Sequence, residues 1–163
     1  MIKAIFSLSP AGGLGNKGKL LYRDKEDLKH FKKITEGAVV VMGRKTFEEC
    51  GVLTNRLNVV LSSKLKQTGK NLVIFRAIDT LVQFCIQKAR EGEDVYIIGG
   101  AELLTYFFEH NLIQEALISH FKAERVADAI IDTALLNRFV QAHQPQASKN
   151  GNFVLKRYTN FLP

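Results

Sequence analysis

The chain has 163 residues, of which 46% are hydrophobic and 24% are charged, and its net charge is +7. This length predicts one domain, residues 1–163, and these fractions are ordinary for a soluble globular protein with a full core. Apolar runs of about six residues are far short of a membrane span, and the first ten residues lack the long apolar region and cleavage site of a signal peptide.

Apolar runs and helical periodicity divide the chain into alternating elements. The apolar runs predict strands at residues 3–8, 38–42, 58–62, 72–75, 95–98, 117–121, 139–142 and 153–158. Helical spacing predicts helices at residues 25–34, 46–50, 80–90 and 101–108, with Asp79 as the N-cap of the third.

This alternation predicts an α/β fold, in which a central, mostly parallel sheet is flanked by helices. A polar loop at residues 144–152 joins the last two strands as a C-terminal antiparallel hairpin, so the sheet is predicted to be mixed. In such sheets ligands bind at the carboxyl ends of the strands.

The segment after the first strand, residues 14–22, contains two glycines and is long enough to act as a flexible lid. It overlaps residues 17–33, which hold seven basic and three acidic residues. Such a patch either attracts anions or is a solvated basic face. No known nucleic-acid motif is present, so we expect no nucleic-acid partner.

Within the first predicted helix, Asp27, His30 and Phe31 lie at positions i, i+3 and i+4. A carboxylate and an aromatic ring therefore share one helix face. The alternative is that Asp24 is an N-cap and Asp27 is only a favourable acid in the first turn.

Two strands are followed by glycine and then by a helix, at Gly43 and at Gly99-Gly100. Glycine allows a ligand to approach the main chain, and a helix start attracts phosphate. Arg44 and Lys45 add two cations beside the first of these turns. Tight strand-to-helix turns without a ligand remain the alternative.

The two cysteines, Cys50 and Cys85, lie far apart without the spacing of a metal site. This usage favours free thiols in a reducing cytoplasm.

Together these segments resemble the dihydrofolate reductase family over nearly the whole chain. The resemblance rests on MIKAIFSLSP at the start, the lid ending in Tyr22, Asp27-Leu28 with Phe31-Lys32, Met42-Gly43-Arg44-Lys45-Thr46-Phe47-Glu48, Arg56 before Asn58-Val59-Val60-Leu61-Ser62-Ser63, Ile97-Ile98-Gly99-Gly100, and Ser119-His120. It implies NADPH-dependent reduction of 7,8-dihydrofolate by a single domain of that fold.

The resemblance also implies roles for individual residues. Asp27 and Tyr22 match catalytic positions, and Ser119 matches a hydroxyl that hydrogen-bonds the helix aspartate. Arg56 matches the arginine that binds the α-carboxylate of the substrate tail. The positions that match the substrate pocket are Ile5, Asp27, Leu28, Phe31, Cys50, Leu53, Arg56, Ile98 and Ser119.

The implied NADPH site is larger. Cations and hydroxyls around the 2′-phosphate are what that dianion needs. The positions that match the cofactor site are Ser7, Leu14, Gly43, Arg44, Lys45, Thr46, Leu61, Ser62, Ser63, Lys64, Gly99, Gly100, Ala101, Glu102 and Leu103.

The chain also departs from the family pattern. Leu21-Tyr22 replaces the usual Pro-Trp, and Ala101-Glu102 follows the two glycines. Two alternatives stay open: a reductase of the same fold that acts on a pyrimidine intermediate of flavin synthesis, and a non-catalytic protein that binds an anion or a partner. We expect a cytoplasmic monomer with a small-molecule substrate, no metal and no membrane partner.

Overall fold

The computed structural model describes residues 1–67 and 69–160. Its strands are β1 (Ile2–Leu8), β2 (Gly13–Asn16), β3 (Lys19–Leu20), β4 (Val39–Gly43), β5 (Leu57–Leu61), β6 (Leu72–Phe75), β7 (Val95–Gly99), β8 (Glu115–Phe121), β9 (Ala129–Ile130), β10 (Phe139–Gln141), β11 (Gln146–Ala147) and β12 (Phe153–Asn160). Its helices are α1 (Lys25–Thr35), α2 (Arg44–Cys50), α3 (Ile78–Arg90) and α4 (Ala101–Glu109), with a 3-10 helix at Thr133–Arg138.

The central sheet has the strand order β10-β12-β8-β1-β7-β4-β5-β6, and β11 pairs with β12. Strands β8, β1, β7, β4, β5 and β6 run parallel to one another. Strand β12 is antiparallel to both β8 and β10. The predicted mixed sheet with a C-terminal antiparallel hairpin is therefore confirmed.

Alternating side chains give the sheet two apolar faces. Ala4, Phe6 and Leu8 of β1 pack in one cluster with α3 and α4. Ile5 packs in a second cluster that includes Phe31 of α1 and Phe47 of α2. We call these the α3–α4 face and the α1–α2 face, and the candidate site lies on the second.

The start of α1 is held by hydrogen bonds from a distant loop. The Asp24 side chain caps the helix by accepting from the Asp27 N–H at 3.0 Å. Asn150 and Asn152 both donate side-chain N–H groups to Asp24 at 2.9–3.0 Å. Burial raises the pKa of Asp24, but hydrogen bonds from Asn152, the Asp27 backbone and Asn150 outweigh it, so this pKa is lowered overall. These contacts orient the helix turn that carries Asp27.

The lid segment differs from the predicted loop. Strands β2 and β3 form a hairpin, and β2 also pairs with β9 in a small antiparallel sheet. Lys17 and Gly18 at the turn have φ values of 52° and 76°. Two consecutive positive φ angles are typical of the tight turn that joins hairpin strands, and lysine at its first position gave no sequence signal for it.

The predicted N-cap of α3 is wrong. The helix begins at Ile78, its N-cap is Ala77, and Asp79 lies in the first turn. A first-turn acid is favourable beside the helix N-terminus without capping it, which explains why the two positions are easily confused in a sequence. Within the described residues, no helix has both the length and the hydropathy needed to cross a bilayer.

Candidate active site

Asp27 lies at the centre of the candidate site, where it is 9% exposed. The Ser119 hydroxyl donates to its Oδ1 at 2.5 Å, which is the contact that the sequence predicted. The Ser7 hydroxyl donates to its Oδ2 at 2.7 Å. Each carboxylate oxygen therefore accepts one hydrogen bond from a hydroxyl and keeps further lone pairs for a ligand.

The two serines come from neighbouring strands in register. Ser7 of β1 is the direct partner of Ser119 of β8 in a parallel pair. Ser7 lies two positions after Ile5, and Ser119 lies two positions after Leu117, both of which pack on the α1–α2 face. Because side chains two positions apart in a strand lie on the same face, both serine side chains point toward α1. Ser7 was predicted among the cofactor residues, and its contact with Asp27 was not predicted. The period of two along β1 is the signal that could have found it.

The predicted apolar wall is largely assembled on this face. Ile5, Phe31, Leu53 and Ile98 belong to the same cluster. Leu28 is 43% exposed and stands outside it. Cys50 is also exposed, with its Sγ 3.7 Å from Met42 Sδ.

Arg56 is 6% exposed, yet it has no ion-pair partner among residues 1–67 and 69–160. Its Nε donates to the Thr54 carbonyl at 2.9 Å, and its Nη1 donates to the Thr35 hydroxyl at 3.2 Å. A buried guanidinium without a carboxylate is unusual, because charged groups are rarely buried unless they are paired. The remaining donors suit an anionic ligand.

The glycine turns bring two strand ends together. A Cβ built on Gly43 would lie 3.9 Å from the Gly100 nitrogen, so the two backbones are close. Gly99 has a φ of +144°, and a Cβ there would lie 3.3 Å from the Thr46 hydroxyl. Helix α4 follows at Ala101. Its N-cap residue is Gly100, so no side chain at that position caps the first N–H groups of the helix. Main-chain N–H groups at such a helix start suit a phosphate.

Basic and hydroxyl side chains flank these turns. Arg44 pairs with Glu48 at 2.7 Å, but this pair is solvent-accessible. The Ser62 hydroxyl accepts from the N–H groups of Lys64 and Leu65, each at 3.1 Å. Arg76, which was not among the predicted site residues, donates to the Ser63 carbonyl at 3.2 Å. The exposed side chains of this region include those of Lys45, Ser63, Lys64 and Glu102.

Three predicted cofactor residues contribute to the core. Leu103 is buried on the α3–α4 face, and Leu14 and Leu61 are half-buried against the same cluster. These side chains support the elements that carry the site.

Tyr22 is packed away from solvent at the end of the lid. Its ring stacks on Phe121 at 4.0 Å between centroids, and the Arg125 guanidinium lies 4.9 Å from the ring centre. Its hydroxyl donates to the Ala123 carbonyl. Burial is the main cause that raises the Tyr22 pKa, with Glu124 adding to it and Arg125 opposing it. The catalytic role of Tyr22 stays a prediction.

The lid is attached on two sides. The Lys17 N–H donates to the Asp128 carboxylate at 3.0 Å, and the Asp128 N–H donates to the Gly15 carbonyl at 3.1 Å. On the other side, the Leu20 N–H donates to Glu49 of α2 at 3.0 Å. The segment is thus held between Asp128 and helix α2 without being part of the central sheet.

Comparison with known proteins identifies the family. A family model described as dihydrofolate reductase matches residues 1–160. The chain belongs to the dihydrofolate reductase family. The predicted family is therefore confirmed.

Individual members of the family match with moderate identity. A dihydrofolate reductase of Bacillus subtilis is 33% identical over 111 residues, covering 68% of this chain and 64% of that protein. A bifunctional dihydrofolate reductase-thymidylate synthase of Paramecium tetraurelia is 28% identical over 160 residues, covering 97% of this chain. The chain spans 34% of the Paramecium protein's length.

A solved dihydrofolate reductase structure has the same fold. The Enterococcus faecalis protein, complexed with NADP(H) and RAB-propyl, superimposes with a TM-score of 0.80 at 22% identity. The match covers 98% of this chain and 96% of that one. The predicted fold class is therefore confirmed.

Proposed function

We propose that this chain catalyses the NADPH-dependent reduction of 7,8-dihydrofolate to tetrahydrofolate. The observation that carries the proposal is the buried Asp27 carboxylate, which is held by two hydroxyls on an apolar face of a chain of this family. In this reaction C6 of the pteridine gains a hydride and N5 gains a proton, so the C6–N5 double bond becomes single. When bound, NADPH supplies the hydride.

In the proposed mechanism Asp27 binds and polarises the pteridine. Its two oxygens accept parallel hydrogen bonds from N3 and the 2-amino group, which is a bidentate arrangement. Its negative charge, in a site shielded from water, favours the addition of a proton to the ring. Phe31, Ile5 and Ile98 supply the apolar surface against which the ring packs.

Arg56 binds the substrate tail in the proposed complex. Its burial without a carboxylate partner in the described part of the chain supports this role, since a charged group in such a position is stabilised by an anionic ligand. The contacts with Thr35 and Thr54 orient the guanidinium for that interaction.

The residues around the glycine turns fit NADPH. Gly99, Gly100 and Ala101 allow the diphosphate to approach the main chain at the start of α4. Arg44, Lys45, Ser62, Ser63 and Lys64 would bind the 2′-phosphate, and Arg76 lies beside Ser63. Glu102 is exposed, so solvent and salt screen the repulsion between its carboxylate and the cofactor phosphates.

We further propose that the enzyme acts as a cytoplasmic monomer without a nucleic-acid or membrane partner. The two cysteines, which are free in the structure, support a reducing compartment. Size-exclusion chromatography coupled to light scattering tests the oligomeric state.

The proposal is tested by following NADPH oxidation in the presence of dihydrofolate. We expect turnover with dihydrofolate and none with the pyrimidine intermediate of flavin synthesis. Oxidation of NADPH with the pyrimidine alone would assign the chain to the second reductase activity. No oxidation with either compound, by a folded chain that binds NADPH, would contradict an enzymatic function.

A further inference from the structure

We propose that Ser7 is a positioning residue for Asp27, acting with Ser119 to hold the carboxylate in the orientation that binds the pteridine edge. This inference rests on the proposed function and adds a residue that acts through Asp27. It reassigns a side chain that the sequence placed with the cofactor site.

The geometry carries this inference. Neighbouring strands lie about 4.8 Å apart, and Ser7 and Ser119 are direct partners on the parallel strands β1 and β8. Their hydroxyls reach different oxygens of one carboxylate, at 2.7 Å and 2.5 Å. We call this pair of hydroxyls the serine clamp.

The clamp acts on a torsion that is otherwise loosely defined. Rotation of a carboxylate about its Cβ–Cγ bond has broad, twofold preferences. One hydrogen bond holds one oxygen and still allows the carboxylate plane to tilt. Two hydrogen bonds, one to each oxygen, define that plane, and with it the direction of the lone pairs left for the substrate.

The other contacts of Asp27 do not define that plane. Its backbone N–H is held by the Asp24 cap, which places the helix turn and leaves the side-chain torsions free. Because both hydroxyls donate to a charged acceptor, each bond belongs to the stronger class of hydrogen bonds. Ser7 is therefore expected to contribute to substrate binding without touching the substrate.

The test measures pteridine and NADPH affinity separately. Titration calorimetry, with folate and with NADPH as separate probes, is carried out on the wild type, Ser7→Ala, Ser7→Cys and Ser7→Thr. Steady-state kinetics are measured with dihydrofolate. We expect Ser7→Ala and Ser7→Cys to bind folate about tenfold more weakly, since alanine lacks the donor and a thiol is a weak donor. Ser7→Thr keeps the hydroxyl and should stay within about threefold of wild type.

A matched control separates this effect from the loss of any buried hydroxyl. The Ser9 hydroxyl is buried and accepts from the Gly13 N–H without contacting Asp27. Ser9→Ala should bind folate within about twofold of wild type, because its hydrogen bond does not involve the carboxylate. Circular dichroism melts of each variant confirm that the proteins compared are folded.

A double-mutant cycle with Asp27→Asn tests whether Ser7 acts through Asp27. The amide is neutral, so the hydrogen bond from Ser7 is weaker, and Ser7→Ala should cost at most about threefold in that background. An equal loss in both backgrounds, or a larger loss of NADPH than of folate affinity, would overturn the inference. Wild-type affinity in Ser7→Ala would also overturn it while leaving the proposed reductase intact. A wild-type protein that neither binds folate nor reduces dihydrofolate would contradict the proposed function itself.

Discussion

At Asp27 we expect the charge of the side chain to matter more than its size. Replacement by asparagine keeps the size and one acceptor but removes the charge that favours proton addition to the pteridine. We expect Asp27→Asn to lower turnover at pH 7 by at least about a hundredfold, which corresponds to about 2.7 kcal/mol in activation free energy. Activity should recover partly at low pH, where solvent supplies the protonated substrate.

A pH–rate profile of both proteins with dihydrofolate makes this measurement. NADPH affinity serves as the control and should change little, because the proposed contact of Asp27 is with the pteridine. Near-wild-type turnover of the variant at pH 7 would mean that Asp27 is only a favourable acid at a helix start.

Arg56 is expected to discriminate between substrates by their tails. Removing its guanidinium leaves the α-carboxylate of dihydrofolate without a charged partner. A pterin without glutamate does not make this ion pair, so its binding is not affected in this way. Arg56→Ala should therefore raise the KM for dihydrofolate far more than the KM for the shorter pterin. Arg56→Lys keeps the charge but not the planar guanidinium. Its KM for dihydrofolate should fall between the values of the wild type and Arg56→Ala. Similar losses on both substrates would show that Arg56 acts through its contacts with Thr35 and Thr54.

At the scale of single residues, the sequence predicted contacts best where a motif matched in register. The hydrogen bond between Ser119 and Asp27 was predicted and is present. The Ser7 contact was missed because a serine in a strand gives no signal unless the face toward which it points is followed. Arg76 was missed for a different reason, since it reaches Ser63 only because β5 and β6 end side by side.

At the scale of elements, the start of α2 is expected to decide cofactor choice. Arg44 lies at its first position with an accessible ion pair to Glu48, and such pairs contribute little to stability. Its guanidinium is therefore available for a ribose 2′-phosphate. Arg44→Ala should weaken NADPH binding by about 1.5–3 kcal/mol, the range for a hydrogen bond to a charged group, with little effect on NADH.

Competitive titrations with the two dinucleotides measure this difference. Arg90→Ala is the matched control, because it removes the same charge from an exposed position at the end of α3, on the other face of the sheet. Equal use of NADPH and NADH by the wild type would contradict the assignment of the 2′-phosphate site.

Elements with strong periodicity were predicted well and short ones were not. All of the predicted strands of the central sheet and all of the predicted helices are present, with ends that differ by one or two residues. Strands β2, β3, β9 and β11 have two to four residues each. Runs this short have no measurable alternation, so they form where the central sheet and its loops offer a partner.

At the scale of the whole molecule, His120 links folding to pH. Burial, assisted by the charge of Lys156, lowers the pKa of His120 from its usual 6.5 to about 4. The neutral ring is hydrogen-bonded to the Tyr158 hydroxyl at 2.9 Å. As the pH falls, His120 takes up a proton at a higher pH in the unfolded chain than in the folded one. The contribution of neutral His120 to stability is therefore present above pH 6.5 and is lost as the pH falls toward 4.

The free energy of unfolding should change less between pH 6.5 and pH 4 in His120→Gln than in the wild type. The difference between the two proteins is at most about 3 kcal/mol, at 1.36 kcal/mol for each pKa unit. Urea unfolding at intervals between about pH 4 and pH 7 measures it. Parallel stability profiles for the two proteins would mean that His120 titrates alike in the folded and unfolded chains.

The arrangement of the whole sheet was predictable only in part. Alternating strands and helices indicated a mostly parallel sheet, and the final hairpin indicated the antiparallel edge. The strand order could not be read from periodicity, because every parallel strand has a similar apolar run. Residues far apart in the chain, such as Ser7 and Ser119, become neighbours only through that order.

The position of β1 inside the sheet has a consequence for biosynthesis. One side of β1 is completed by β7 and the other by β8. Both partner strands follow β1 in the chain, so β1 leaves the ribosome before either of them. At about 5–20 residues per second, the roughly 110 residues between Ser7 and Ser119 take on the order of ten seconds to translate. During that time β1 has unpaired edges that a chaperone or another nascent chain can occupy. The serine clamp thus forms only after β8 has been synthesised, and a chain whose synthesis stops before β8 lacks a complete site.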